Sequence, residues 1–151
     1  MAQPQEFPFN IMDVAELLHL HIRRRQADSV YADCPICGDK RGKMNINFAK
    51  GIDGMIRGAQ IRLDTPIRDQ ESDLDKSGTK YLWLSSASKK RGVSSGSPVH
   101  FVGDPFARVV YVTEGLLKAD VSHYLMDRSF AATAGANNVN KLDMQKFLHC
   151  R

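Results

Sequence analysis

Between Arg108 and Gly115 the chain reads Arg108-Val109-Val110-Tyr111-Val112-Thr113-Glu114-Gly115, and Leu116 onward takes up a helical pattern. A short β-branched run that ends in an acid and a glycine before a helix predicts strand, tight turn, helix. In an α/β sheet, ligands sit outside the carboxyl ends of the strands, so Glu114 is the first residue to suspect of chemistry. The pattern repeats downstream: Phe130 to Thr133 reads as a strand, Gly135 to Asn140 as a loop and Leu142 to Leu148 as a helix. Strand, helix, strand, helix in that order predicts a parallel sheet with right-handed crossovers. Leu117, Val121, Tyr124 and Leu125 share one face of the first helix and form its expected apolar side.

With 151 residues, 42% of them hydrophobic, the chain suits one domain or two very small ones. No stretch approaches the roughly 20 apolar residues of a membrane span, and Met1 to Glu6 lacks the basic start and apolar run of a secretory signal, so a cytoplasmic location is expected. A formal charge of +4 permits a polyanionic partner without demanding one. Its distribution says more: Arg23-Arg24-Arg25 and Lys89-Lys90-Arg91 are tight basic clusters that would neutralise phosphates or lie solvated on the surface.

Toward the amino end, Asn10 is placed to cap a helix carrying Ile11, Val14, Leu18 and Ile22 on one face, with Asp13 and Glu16 at its positive end and the arginine run at its close. Strands are expected over Val30 to Asp33, Met44 to Phe48, Gln60 to Asp64, Lys80 to Leu84 and Val99 to Val102. Gly51 to Gly58 reads as a junction and Asp69 to Gly78 as a polar loop. Tyr81 and Trp83 alternate with Leu82 and Leu84, a pattern that serves core packing or base stacking.

Between two of those strands lies Cys34-Pro35-Ile36-Cys37 followed by Gly38. Two thiolates at this spacing, supported by turn amides, make half of a tetrahedral Zn²⁺ site. No second knuckle follows Phe48, Cys150 is far away in sequence, and His19 and His21, two apart on the expected helix, point in different directions. A thioredoxin-like redox pair would open a helix after a core strand, whereas Asp39-Lys40-Arg41-Gly42 follows here.

Residues 10 to 48, from Asn10-Ile11-Met12-Asp13-Val14 through the knuckle to Met44-Asn45-Ile46-Asn47-Phe48, resemble the amino-terminal zinc-binding domain of bacterial and phage primases. Residues 80 to 138 resemble the front of a primase-type Toprim domain, through Lys80-Tyr81-Leu82, Gly92-Val93-Ser94-Ser95-Gly96, Val112-Thr113-Glu114-Gly115 and Ala131-Ala132-Thr133-Ala134-Gly135. The resemblance implies a zinc-ribbon-like region over 1–50, a connecting region over 51–106 and a partial Toprim sheet over 107–151. It implies RNA primer synthesis on single-stranded DNA from nucleoside triphosphates, with Mg²⁺ or Mn²⁺ as cofactor, a replicative helicase as a possible partner, and a phage or mobile element as the setting.

This chain departs from that pattern in two places, which suggests a shortened form. Toprim domains pair the glutamate with an Asp-x-Asp on a later strand, which the chain does not reach, and the ribbon has one knuckle instead of two. Glu114 carries over as metal ligand or proton carrier. Asp120 carries over less directly, because Lys118 occupies the position where primases often place an aspartate.

Each of these residues also has a plainer role. Glu114 would stabilise the amino end of its helix by about 0.3 to 1 kcal/mol, Lys118 would pair with Glu114 or touch a phosphate, and Gly115 would simply make a turn. Gly135, Asn137 and Asn138 fall at the same sheet edge and would line a site or a turn. Asp73-Leu74-Asp75 has the spacing of paired acids but lies in a polar stretch that reads as a loop. A nonenzymatic single-stranded DNA-binding accessory module is the alternative in a different class, and phosphodiester cleavage a third.

Overall fold

In a computed structural model the chain is described over residues 10–26, 29–67, 78–92 and 94–147. Asp73, Asp75 and Cys150 lie outside these, as does Leu148. The architecture is mixed α/β, with few helices and mostly antiparallel strands. By its internal contacts the chain divides into two compact units, one of residues 1–48 and 59–84 and one of 49–58 and 85–151.

In the first unit, α1 (Ile11–Leu17) begins at Asn10, whose side chain accepts from the Met12 and Asp13 amides while Asp13 accepts from the Asn10 amide, a reciprocal cap. Ile11 and Ala15 are its buried face. The helix is shorter than its apolar spacing predicts. Leu18 caps it, His19 turns to φ 51°, and Ile22 enters β1 (Ile22–Arg25), so the arginine run is a strand and not a helix end. Behind β1 come β2 (Ser29–Ala32), β3 (Met44–Lys50), β4 (Ile56–Ile67) and β5 (Thr79–Trp83), and the five form one sheet in chain order.

β1 pairs antiparallel with β2, β2 with β3 and β4 with β5. The central strand β3 is buried from Met44 through Ala49, so its alternating pattern conceals covered faces on both sides, and Asn45 satisfies its amide by donating to the Val30 carbonyl at 3.2 Å. Val30, Ala32, Met44, Ile46, Phe48 and Leu63 make the core. Register shifts between Arg62 and Ile67, an interval that contains Pro66, which cannot donate to the ladder.

The second unit holds β6 (His100–Val102), β7 (Val110–Glu114), α2 (Leu116–Met126) and β8 (Ser129–Thr133), followed by 3-10 helices over Ala136–Lys141 and Met144–Phe147. The strand order is β6-β8-β7. β7 and β8 are parallel, joined by α2, while β6 runs antiparallel to β8. The expected all-parallel sheet is thus one parallel pair beside an antiparallel strand.

The unit differs from expectation in three further elements. α2 buries Leu116 and Ala119, the latter against Phe130 and Ala132, whereas the expected apolar face is largely outside: Tyr124 is 85% and Leu125 73% exposed, Val121 is exposed as well, and Leu117 is half-buried. The small side chain of Ala119 lets the helix sit close to β8, which leaves the stripe of Val121, Tyr124 and Leu125 turned away. The expected loop after β8 is a 3-10 helix, and the helix expected from Leu142 is 3-10 over Met144–Phe147.

Candidate functional site

Glu114 stands exposed at the last position of β7, and the next residue, Gly115, has φ +87° and ψ 128°, a conformation L side chains rarely adopt. The Gly115 amide donates to the Thr133 carbonyl at the end of β8, 2.8 Å away, which ties the two parallel strand ends together. Beyond β8 a second glycine, Gly135 at φ +98°, opens the next turn. Its amide donates to the Thr133 carbonyl at 3.0 Å, and the Thr133 hydroxyl donates to the Gly135 carbonyl at 3.0 Å. Two glycine turns therefore flank one carboxylate at the carboxyl edge of the parallel pair. Asn138 spends its side-chain amide on the Ala134 carbonyl at 2.7 Å and so builds the turn, while Asn137 is exposed.

The remaining acids and bases of the expected site do not all converge there. Lys118 is exposed, and no Glu114–Lys118 ion pair forms among the described residues. The non-helical turn at Gly115 takes Glu114 off the helical line on which spacing by four brings side chains together. Asp120 accepts from His100 instead, with Nε2 and Oδ1 2.7 Å apart. His100 is 3% exposed, and its Nδ1 accepts from the Lys50 amide at 3.0 Å, an arrangement that leaves the ring proton on Nε2 for Asp120. Sequence reading passed over His100; the available signal was a histidine inside the apolar run Val99-His100-Phe101-Val102, since a buried imidazole must find a partner for each nitrogen.

Glu114 thus supplies one carboxylate. Mg²⁺ is commonly held by one or two carboxylates with water and substrate phosphates completing its shell. Among the described residues no group of three His, Cys, Asp or Glu converges.

In the first unit, the Cys34–Cys37 turn has the hydrogen bonds of a metal knuckle. The Cys37 amide points at Cys34 Sγ, 3.4 Å away, the Gly38 amide donates to the Cys34 carbonyl, and the Cys34 amide donates to the Asp39 carbonyl. Both thiols are free, Cys34 buried and Cys37 exposed. Burial pushes the Cys34 thiol up, while the Asp39 backbone amide and Cys34 itself draw Cys37 down, so Cys37 is the more readily ionised of the two. Two thiolates fall short of the four ligands of a structural zinc site, and the described residues add neither a third nor a fourth.

The basic clusters differ in how far they are already engaged. Arg23 holds Asp33 through two bonds, Nε to Oδ1 at 2.8 Å and Nη2 to Oδ2 at 2.9 Å, and Arg24 lies 4.1 Å over the Tyr31 ring. Arg25 is exposed. Lys89, Lys90 and Arg91, in the second unit, are all exposed on a turn where Arg91 has φ 62°. Tyr81 is exposed and Trp83 half-buried on the edge strand β5.

A cavity of about 270 Å³ in the second unit has Phe101 and Phe147 in its wall, their rings 6.2 Å apart, together with Arg57, Lys141 and Lys146. Those three cations are already engaged, with Asp53, the Gly96 carbonyl and Asp143 respectively. No helix among the described residues is long and apolar enough to cross a membrane. Compared with known proteins, the chain matches no family model, no curated protein sequence and no solved structure.

Proposed function

We propose that the chain is a primase-like protein of a phage or mobile element that works on single-stranded DNA in the bacterial cytoplasm, with Glu114 as the acid of a Toprim-type site for RNA primer synthesis. The observation that carries the reading is the β7–Gly115–α2–β8 crossover: it sets an exposed carboxylate between two glycine turns at the carboxyl edge of a parallel strand pair, the edge at which α/β sheets bind ligands. A divalent ion arriving with nucleoside triphosphate would neutralise phosphate oxygens. The protein's own contribution is a fixed acid, open backbone around it, and the Lys89–Arg91 turn to hold the template strand.

The test is primer synthesis on a single-stranded template with nucleoside triphosphates and Mg²⁺. Glu114→Gln is expected to lose roughly a hundredfold in rate, the scale of removing one electrostatic group from a transfer site. Equal synthesis by wild type and variant would overturn the role of Glu114.

A second reading has an observation in its favour: among the described residues no second acid joins Glu114 in a metal-binding group and no further ligand joins the two thiols, where the resemblance implies paired acids and four zinc ligands. On that reading the protein is a nonenzymatic single-stranded DNA-binding accessory module. It predicts binding that weakens with salt and no metal-dependent synthesis under any condition.

A further inference from the structure

We infer that a second copy of this chain pairs with the open edge of β7, antiparallel and about a two-fold axis through Tyr111. β7 is an edge strand, since β8 lies on one side of it and no described strand on the other. Edge strands are commonly blunted by inward charge, proline or a cover. Here the edge carries Tyr111 and Val112, 44% and 54% exposed, with Val109 exposed just before it.

The direction of the backbone groups fixes which registers are open. The Gly115 amide points to β8, so the Glu114 carbonyl in the same peptide plane points the other way. By the alternation of a strand, Val110, Val112 and Glu114 then turn both N–H and C=O to the open side. A copy centred on Tyr111 places Val110 against Val112, a pair whose groups face one another, and brings Arg108, at a bend two residues before β7, toward the Glu114 side chain of the other copy. Tyr111 meets its own copy at the closer, non-hydrogen-bonded spacing.

Charge selects this register from its neighbours. Arg108 and Glu114 are both exposed and make no ion pair among the described residues, and only an axis at Tyr111 sets each opposite the other, twice per dimer by symmetry. A centre moved by one residue sets Glu114 against Phe106 or Val110, both apolar. Because the pairing covers only one short strand per copy, the interface is small and association depends on concentration.

The inference does not rest on the catalytic reading of Glu114, and its test separates the two. Sedimentation velocity over a concentration series should show wild type passing from monomer to dimer. Arg108→Glu and Glu114→Arg should each weaken the dimer roughly tenfold or more, from two lost and two repulsive cross-strand pairs. The double variant Arg108→Glu/Glu114→Arg should restore the wild-type dimer while lacking the acid that primer synthesis would need. Tyr111→Cys should give a disulfide-linked dimer under mild oxidation, well above the background of wild type, whereas Val112→Cys, offset from its copy by two positions, should give much less. A monomer at every concentration, a dimer indifferent to both reversals, or a double variant no better than the singles would each overturn the pairing.

Discussion

His100 shows how a single buried side chain can redirect an expected catalytic group. Its two nitrogens bridge the Lys50 amide and the Asp120 carboxylate, at 3.0 and 2.7 Å, with the ring almost fully enclosed. Replacing it by leucine keeps the bulk but takes an acceptor from one and a donor from the other, so His100→Leu should cost about 1 to 3 kcal/mol of stability, read as a lowered midpoint in urea. An unchanged midpoint would mean that the bridge carries no net stability. Asp120 was legible as an acid near Glu114, but its partner stands twenty residues earlier on the strand β6, and spacing within one helix cannot reveal that. Glu114 and Gly115 were legible because acid, turn and strand end are adjacent in sequence. Carboxylates elsewhere set the response to acid. The hydrogen bonds of Arg41 hold Asp39 far below the ordinary carboxylate value of 3.8, and those of Arg23 lower Asp33 in the same way. A carboxylate with a depressed native pKa stabilises the fold above its unfolded pKa, and that contribution is lost as pH falls through the native value. The protein should therefore lose stability progressively below about pH 3.8, and Arg41→Gln should flatten that loss. Thermal melts of both proteins between pH 5 and pH 2 provide the comparison, and equal slopes would rule out the Arg41 pair as the source.

Among the elements, the strand–turn–helix at Glu114 depends most on one residue. Gly115 holds φ +87° and ψ 128°, with its amide bonded to Thr133 and only ordinary contact where a Cβ would stand, 3.9 Å from the Lys118 side chain. Gly115→Ala therefore meets no clash and tests backbone strain alone. The expected cost is about 1 to 3 kcal/mol. Gly38→Ala, at φ +73° with nothing within 4 Å, is a matched control away from β7. If Gly115→Ala also moves Glu114, primer synthesis or dimer formation should fall in that variant and stay unchanged in Gly38→Ala. Element boundaries were less legible than element types. The apolar spacing of Ile11, Val14, Leu18 and Ile22 predicts a helix through Ile22, yet the chain turns at His19 and gives Ile22 to β1, because the sheet offers Ile22 and the arginines a partner strand that local periodicity cannot register. In α2 the same limitation falls on the choice of face. Ala119 packs against Phe130 and Ala132 while Val121, Tyr124 and Leu125 stay outside, since close packing onto β8 favours the small side chain at 119.

For the molecule as a whole, the net charge of +4 says little until it is divided between a basic cluster that is partly engaged and one that is not. The mixed α/β class was legible from alternating strands and helices, but not the antiparallel majority: strand direction is decided by pairings such as β6 with β8, which join residues about thirty apart in the chain. Of the two basic clusters, Arg23 is held by Asp33 and Arg24 by the Tyr31 ring, so binding a phosphate there would first require giving up an internal contact. Lys89, Lys90 and Arg91 are exposed and carry no ion pair among the described residues, so a polyanion meets them without that cost. Each contact with single-stranded DNA releases condensed counterions, and the logarithm of affinity falls with the logarithm of salt by about 0.7 per phosphate neutralised. Changing all three residues to glutamine should therefore weaken binding to an oligonucleotide and flatten its salt dependence by about 2 in that slope, whereas changing Arg23 and Arg24 should flatten it far less. Fluorescence anisotropy across a salt series measures both quantities at once. Equal slopes for wild type and the triple variant would remove this turn from the nucleic-acid surface, and a slope that falls only with the Arg23 and Arg24 changes would move that surface to β1.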